Sequence, residues 1–256
     1  MSGPDVAWQL ARRTTKSTLR RPVLLSFSFV QPLVWMLFFG FLFHRYELLG
    51  LPAAVTYLDF LAPGVCAMTV LFGASQSGVG WIRDVHTGFL PRMLHTPASH
   101  HALLAGKLAA DVARLLAQAA VVLALALALG ARLHPDWSGL PAAVLCLALF
   151  ALAFSSLSCA LALRTRAQEA MAAFVHLVNL PLLFTSTALV PVRQMPDWLA
   201  AAARWNPLTL TVDAWRGALL LAEAPSPARQ VLPLAALAAA LYALAAREMR
   251  RAGALY

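Results

Sequence analysis

Long apolar runs alternate with short polar, basic breaks along almost the whole chain. The runs cover about 23–43, 58–80, 104–130, 140–163, 170–190 and 229–246. A helix rises about 1.5 Å per residue, so about 20 apolar residues cross the roughly 30 Å of bilayer hydrocarbon. Hydrocarbon offers no hydrogen-bond partners, so a crossing segment must satisfy its own backbone. The pattern therefore predicts an all-α integral membrane protein with about six transmembrane helices, forming one domain over 1–256. Two stretches, 81–107 and 191–228, do not fit the simple alternation.

The stretch 81–107 reads WIRDVHTGFLPRMLHTPASHHALLAGK. Within it Phe89, Leu90, Met93 and Leu94 fall on one side of a short helix, at i, i+1, i+4 and i+5. Thr87 is a candidate cap, Pro91 sits in the first turn, and Pro97 ends the helix. Beside a membrane, such a helix either lies on the lipid surface or docks into a partner's groove.

The stretch 191–228 is broken at Pro191, Pro196, Pro207 and Pro225. Two amphipathic helices are predicted between the breaks, about 196–205 and 207–222. Neither is long and apolar enough to cross. Asn206 can cap the second, with Pro207 at its first position. Trp198, Trp205 and Trp215 are interfacial residue types. A re-entrant helical hairpin in the outer leaflet is expected.

Polar residues inside the runs are sparse and patterned. Gln31 precedes Pro32 in the first and must face protein or water. The second carries the small-residue stretch Gly73 to Gly78, which favours close helix approach. Lys107, Asp111, Arg114 and Gln118 are spaced 4, 3 and 4 apart and share one face of the third. Asp111 and Arg114 can pair at i, i+3; a structural ion pair and a pathway-lining role are the two readings. His176 and Asn179 are placed on a common face of the fifth, where an interhelical hydrogen bond across a kink at Pro181 is expected. Residues 1–22 end in a basic run, read either as an interfacial amphipathic helix or as a plain anchor.

Composition agrees: 61% of the 256 residues are hydrophobic and only 12% charged, against about 25% charged in soluble domains. The net charge of +9 sits at the ends of the runs, which points to the membrane surface rather than to nucleic acid. With six spans, thirteen Lys and Arg fall on the side of the termini and of 81–107, and six on the other. The positive-inside rule puts both termini in the cytoplasm. Cys66, Cys146 and Cys159 lie within apolar runs and form no CxxC pair; they read as packing residues. No G-x-x-x-x-G-K-[ST] loop and no HExxH occurs, so neither phosphate-loop ATP hydrolysis nor zinc proteolysis is indicated. Gly73-Ala74-Ser75-Gln76 lacks the last glycine of an intramembrane serine nucleophile, and Asp84 has no companion acid in its loop to hold a metal.

The spacing Asp84, Gly88, Phe89, Leu90, Met93, Leu94, Pro97 resembles the first cytoplasmic loop of ATP-binding-cassette type-2 permeases. Those of drug-resistance and nodulation-factor exporters are the most similar. His86 stands where that family usually has Glu. Met195-Pro196, Trp205-Asn206-Pro207-Leu208-Thr209 and Val212-Asp213-Ala214, followed by Arg216-Gly217, resemble a second block of the same family, with Asn206, Pro207, Asp213 and Arg216 at its motif positions. The resemblance implies a cell inner-membrane permease subunit whose loop, 81–103, carries a coupling helix for a separate ATPase subunit. It implies pairing with a second permease chain, and ATP and magnesium bound by the ATPase, with no cofactor on this chain. An amphipathic organic substrate (a drug, glycolipid or polysaccharide) is expected. A polytopic enzyme acting on a lipid-linked substrate is the alternative.

Overall fold

The computed structural model describes residues 22–43, 55–94, 99–220 and 227–253. Among these the chain is helical, with no strand. The long helices are α1 (Pro22–Leu42), α2 (Tyr57–His86), α4 (His100–Ala128), α5 (Leu140–Thr165) and α10 (Pro227–Gly253). A six-residue helix, α3 (Phe89–Leu94), joins α2 to α4. After α5 come α6 (Gln168–Phe174), a π turn over Val175–Asn179 and α7 (Leu180–Phe184). A 3-10 turn at Val192–Gln194 leads to α8 (Asp197–Trp205) and α9 (Pro207–Leu219). The expected N-terminal interfacial helix and Pro97 lie outside the described residues, as do the side chains of Gln31 and Leu94.

Among the described residues α2, α4, α5 and α10 are long and apolar enough to cross a membrane. Of the other two expected runs, the first forms the 21-residue α1, which has Pro32 inside it, and the fifth forms the broken apolar stretch Gln168–Phe184. The polar interruption is also narrower than 81–107. α2 continues to His86 and α4 begins at His100, where Ser99 accepts from the Ala102 N–H as its cap. At nine and thirteen residues, α8 and α9 are each too short to cross.

Three apolar clusters are stacked along α2. At its start Tyr57, Phe60 and Leu61 pack with Met36 and Val122. In the middle Leu71 and Ala74 meet Leu115, Leu147, Phe150 and Val212. At its end Trp81 and Ile82 meet Leu104, Leu108, Leu163 and Met249. The small-residue stretch makes this possible. A Cβ at Gly78 would meet Ser158 and Met171 within 2.7 Å, and one at Gly73 would meet Leu115 at 2.5 Å. With helices this close, polar groups bond across them. The Ser158 hydroxyl donates to the Ser75 carbonyl at 2.6 Å, and the Asn179 amide donates to the Ser75 hydroxyl at 2.8 Å.

The π turn corrects one expectation. His176 and Asn179 do not share an environment: Asn179 is fully buried on Ser75, whereas His176 is exposed. A π turn holds more residues than an α turn, so α-helical spacing does not carry across it.

Candidate functional site

Two sites stand at opposite ends of α2. The first is the elbow formed by the end of α2 with α3 and the start of α4. Thr87 is not the cap of α3, as its position suggested. It closes α2: its N–H and its hydroxyl both donate to the Arg83 carbonyl at 2.9 Å. Gly88 follows at φ +66°, a left-handed conformation that glycine adopts without a Cβ clash. Arg92 then folds back over the turn, with Nε on the Gly88 carbonyl at 3.2 Å and Nη2 on the Thr87 carbonyl at 3.4 Å.

The apolar stripe of α3 finds its partner inside this chain. Leu90 is 4% exposed, among Trp81, Ile82, Leu103, Leu104 and Leu108, and Phe89 and Met93 pack on the same cluster. The expectation of an unpartnered stripe waiting for another subunit is corrected for these three residues. Its cause is the extra length of α2, which brings Trp81 and Ile82 beneath α3. Arg83, His86, Thr87, Arg92, Ser99 and His101 are among the exposed residues of the elbow. His86 Nε2 lies 3.2 Å from the Arg166 carbonyl. Arg166 closes α5 at φ 52°, and this contact ties the α5–α6 turn to the elbow. A carbonyl needs a donor, which a carboxylate at position 86 would not supply.

The stripe on α4 faces α2. Lys107 Nζ meets Asp84 Oδ2 at 2.5 Å and lies 4.0 Å from the centre of the Trp81 ring. Arg114 sits 3.7 Å from Asp111 and donates to the Gly73 carbonyl at 3.3 Å and to Ser77 Oγ at 3.4 Å. Asp111 and Gln118 are buried. The four charges form two opposite-sign pairs, the arrangement that lowers the cost of keeping ions out of water. Sequence reasoning placed Asp84 in a loop and did not connect it to Lys107. The structure places both on helices that run side by side.

The second site lies at the start of α2. Between α7 and the 3-10 turn, residues 185–191 are not helical, so their backbone groups need other partners. The 206–216 motif supplies them. Asn206 accepts from the Leu208 N–H at 2.8 Å, capping α9, while its amide donates to the Leu182 carbonyl at 2.7 Å and Thr185 Oγ1 at 2.9 Å. Thr209 Oγ1 accepts from the Thr187 N–H at 3.2 Å, and Asp213 accepts from the Thr187 hydroxyl at 3.1 Å. Arg216 donates from Nη2 to the Ala188 carbonyl, and from Nε and Nη2 to the Phe60 carbonyl, each at 3.2 Å. Its guanidinium also stacks 3.5 Å over the Phe60 ring. Pro207 occupies the first turn of α9, where a missing N–H costs nothing.

Three residues of this site were missed in the sequence. Gly64 leaves room for the Ala188 carbonyl, where a Cβ would collide. Tyr57 donates to the Leu189 carbonyl at 3.1 Å. Asp59, fully buried, forms a capping box with Thr56 and accepts from the Arg132 N–H. Thr56-x-x-Asp59 ahead of an apolar run was a readable signal for the last. The loop after α4 also docks here, with the His134 and Asp136 N–H groups on the Leu219 and Ala218 carbonyls at 2.8 and 2.7 Å. Trp215 is buried in this packing, contrary to the interfacial place expected for it, while Trp198 and Trp205 are 71% and 87% exposed.

Long apolar helices, packed through small residues and pinned by buried polar groups, define a polytopic helical membrane protein. The signature of the ABC-2 type transporter family matches residues 6–220, and the chain belongs to that family. It is 32% identical over 208 residues to the putative transport permease ycf38 of Cyanophora paradoxa, covering 81% of this chain and 71% of that protein. The protein of the same name from Pyropia yezoensis is 31% identical over 209 residues, with the same coverage. Nodulation protein J of Rhizobium leguminosarum bv. trifolii is 26% identical over 226 residues, 86% of this chain and 84% of that protein. The chain is thus a transport permease, the membrane subunit of an ABC transporter.

Proposed function

We propose that this permease exports an amphipathic organic molecule, driven by a separate ATPase subunit that holds the ATP and magnesium, and that two permease chains pair around the pathway. The elbow at the end of α2 receives the ATPase, so both termini lie in the cytoplasm. The α8–α9 hairpin sits in the outer leaflet at the exit. One observation carries the reading: a single helix, α2, joins the elbow to the clamped segment 185–191. Asp84 near one end is tied to α4, and the Phe60 carbonyl near the other is held by Arg216. Packed helices transmit a push as a rigid element, so a push on the elbow reaches the outer segment along α2.

The test is reconstitution of the permease, with an ATP-binding-cassette ATPase subunit from the same organism, into inside-out vesicles. ATP-dependent accumulation of an amphipathic dye is expected, and it should vanish when the phosphate-loop lysine of the ATPase is replaced. Chemical conversion of a lipid-linked compound without movement would favour the membrane-enzyme reading instead.

A further inference from the structure

With the apolar stripe of α3 turned inward, the charged side chains that the elbow exposes among the described residues are arginines. Arg83 and Arg92 are exposed on it, and Arg164 is exposed on the adjoining turn that His86 ties to the elbow. The acid nearest in sequence, Asp84, is taken by Lys107. Glu248 is buried and bonded to Arg251, which leaves Glu169 as an exposed acid beside this surface. Arg92 is also fixed in place by its two bonds to the turn, so seating it against a partner forfeits little side-chain freedom. Resting on the coupling role given to the elbow above, we infer that the elbow docks by charge: Arg83, Arg92 and Arg164 seat against carboxylates lining a cleft of the ATPase subunit, while Phe89, Leu90 and Met93 remain part of the permease core.

A protein cleft suits this surface better than lipid headgroups. α2 has 30 residues, about 45 Å at 1.5 Å each. That matches the roughly 40–45 Å of a bilayer with its headgroups, so the elbow following α2 stands at or beyond the headgroup boundary. A preorganised guanidinium also matches the fixed geometry of carboxylates on a folded partner.

The experiment uses the tagged full-length permease, coexpressed with the same ATP-binding-cassette ATPase subunit and purified in detergent. The wild-type complex should hold at about 0.05 M salt and dissociate by about 1 M, where the screening length falls to about 3 Å. R83E/R92E/R164E should retain the ATPase about ten-fold less well at low salt, while R193E/R204E, at the opposite end of the bundle, should retain it fully. Size-exclusion profiles check that both variants fold; if the triple variant does not, the salt titration of the wild type decides. A complex that survives 1 M salt overturns the inference and leaves the transporter reading standing. So does a triple variant that keeps the ATPase but loses flotation with phosphatidylglycerol vesicles, which would assign the arginines to lipid. If the wild type retains no ATPase under any condition, the transporter reading falls with the inference.

Discussion

At the scale of single residues, Lys107 and Arg216 hold helices together by giving charge to groups that are largely withdrawn from water. The side chains of Lys107 and Asp84 are 10% and 17% exposed, between the limits of surface and buried pairs. Lys107→Met, which orphans Asp84, is expected to cost about 1–3 kcal/mol. K107M/D84L should recover part of that loss, read as the melting temperature in detergent over a double-mutant cycle. Strictly additive losses would remove the pairing. Arg216 differs because its partners include two backbone carbonyls, from Phe60 and Ala188. Arg216→Lys keeps the charge but not the fork of N–H donors. It should destabilise nearly as much as Arg216→Met, by about 3–5 kcal/mol. Full stability in Arg216→Lys would show that charge alone is enough.

At the scale of elements, the elbow is a turn of fixed hand followed by a helix that belongs to the core. Gly88→Ala forces a side chain into φ +66°, a strain of about 1–2 kcal/mol. A fall in melting temperature is expected, together with weaker ATPase retention, because the strain acts on the turn that positions Arg92. L90D/M93D is expected to abolish a monodisperse permease, since Leu90 is buried under α2 and α4 and an unpaired buried carboxylate is costly. A well-folded double variant that merely loses the ATPase would restore the outward-facing stripe. Gly78→Ala tests the contact of α2 with α5: overpacking against Ser158 and Met171 should cost about 1–3 kcal/mol.

At the scale of the whole molecule, the hairpin decides the topology. Arg193→Cys before it and Arg229→Cys after it are both at exposed positions. Cys66, Cys146 and Cys159 are buried and are replaced by alanine as background. An impermeant thiol reagent added outside intact cells should label both sites. Labelling of one only from the cytoplasmic side would mean that 194–228 crosses, and the placement of the C-terminus would change.

The apolar runs, the breaks at proline and the Asn206-Pro207 cap were legible from the residues, because helix length in hydrocarbon and the geometry of Asn-Pro caps are local constraints; the rest of the 206–216 block was legible only through its family resemblance. The spacing within α4 likewise showed Lys107, Asp111, Arg114 and Gln118 on one face before any partner was known. What that face meets was not legible. Asp84 lies 23 residues before Lys107, and only the run-on of α2 past its apolar stretch brings them together. The same extension turned the stripe of Phe89, Leu90 and Met93 inward, since amphipathicity tells that a face is buried and not against what. His176 and Asn179 were separated by a π turn that α-helical spacing does not foresee. In the sequence Asp213 and Arg216 stood only as motif positions, with no partner to be read. Tertiary structure made them the partners of residues 187 and 188, because an unwound segment inside a bundle has backbone groups that must be bonded and only packing decides which side chains reach them.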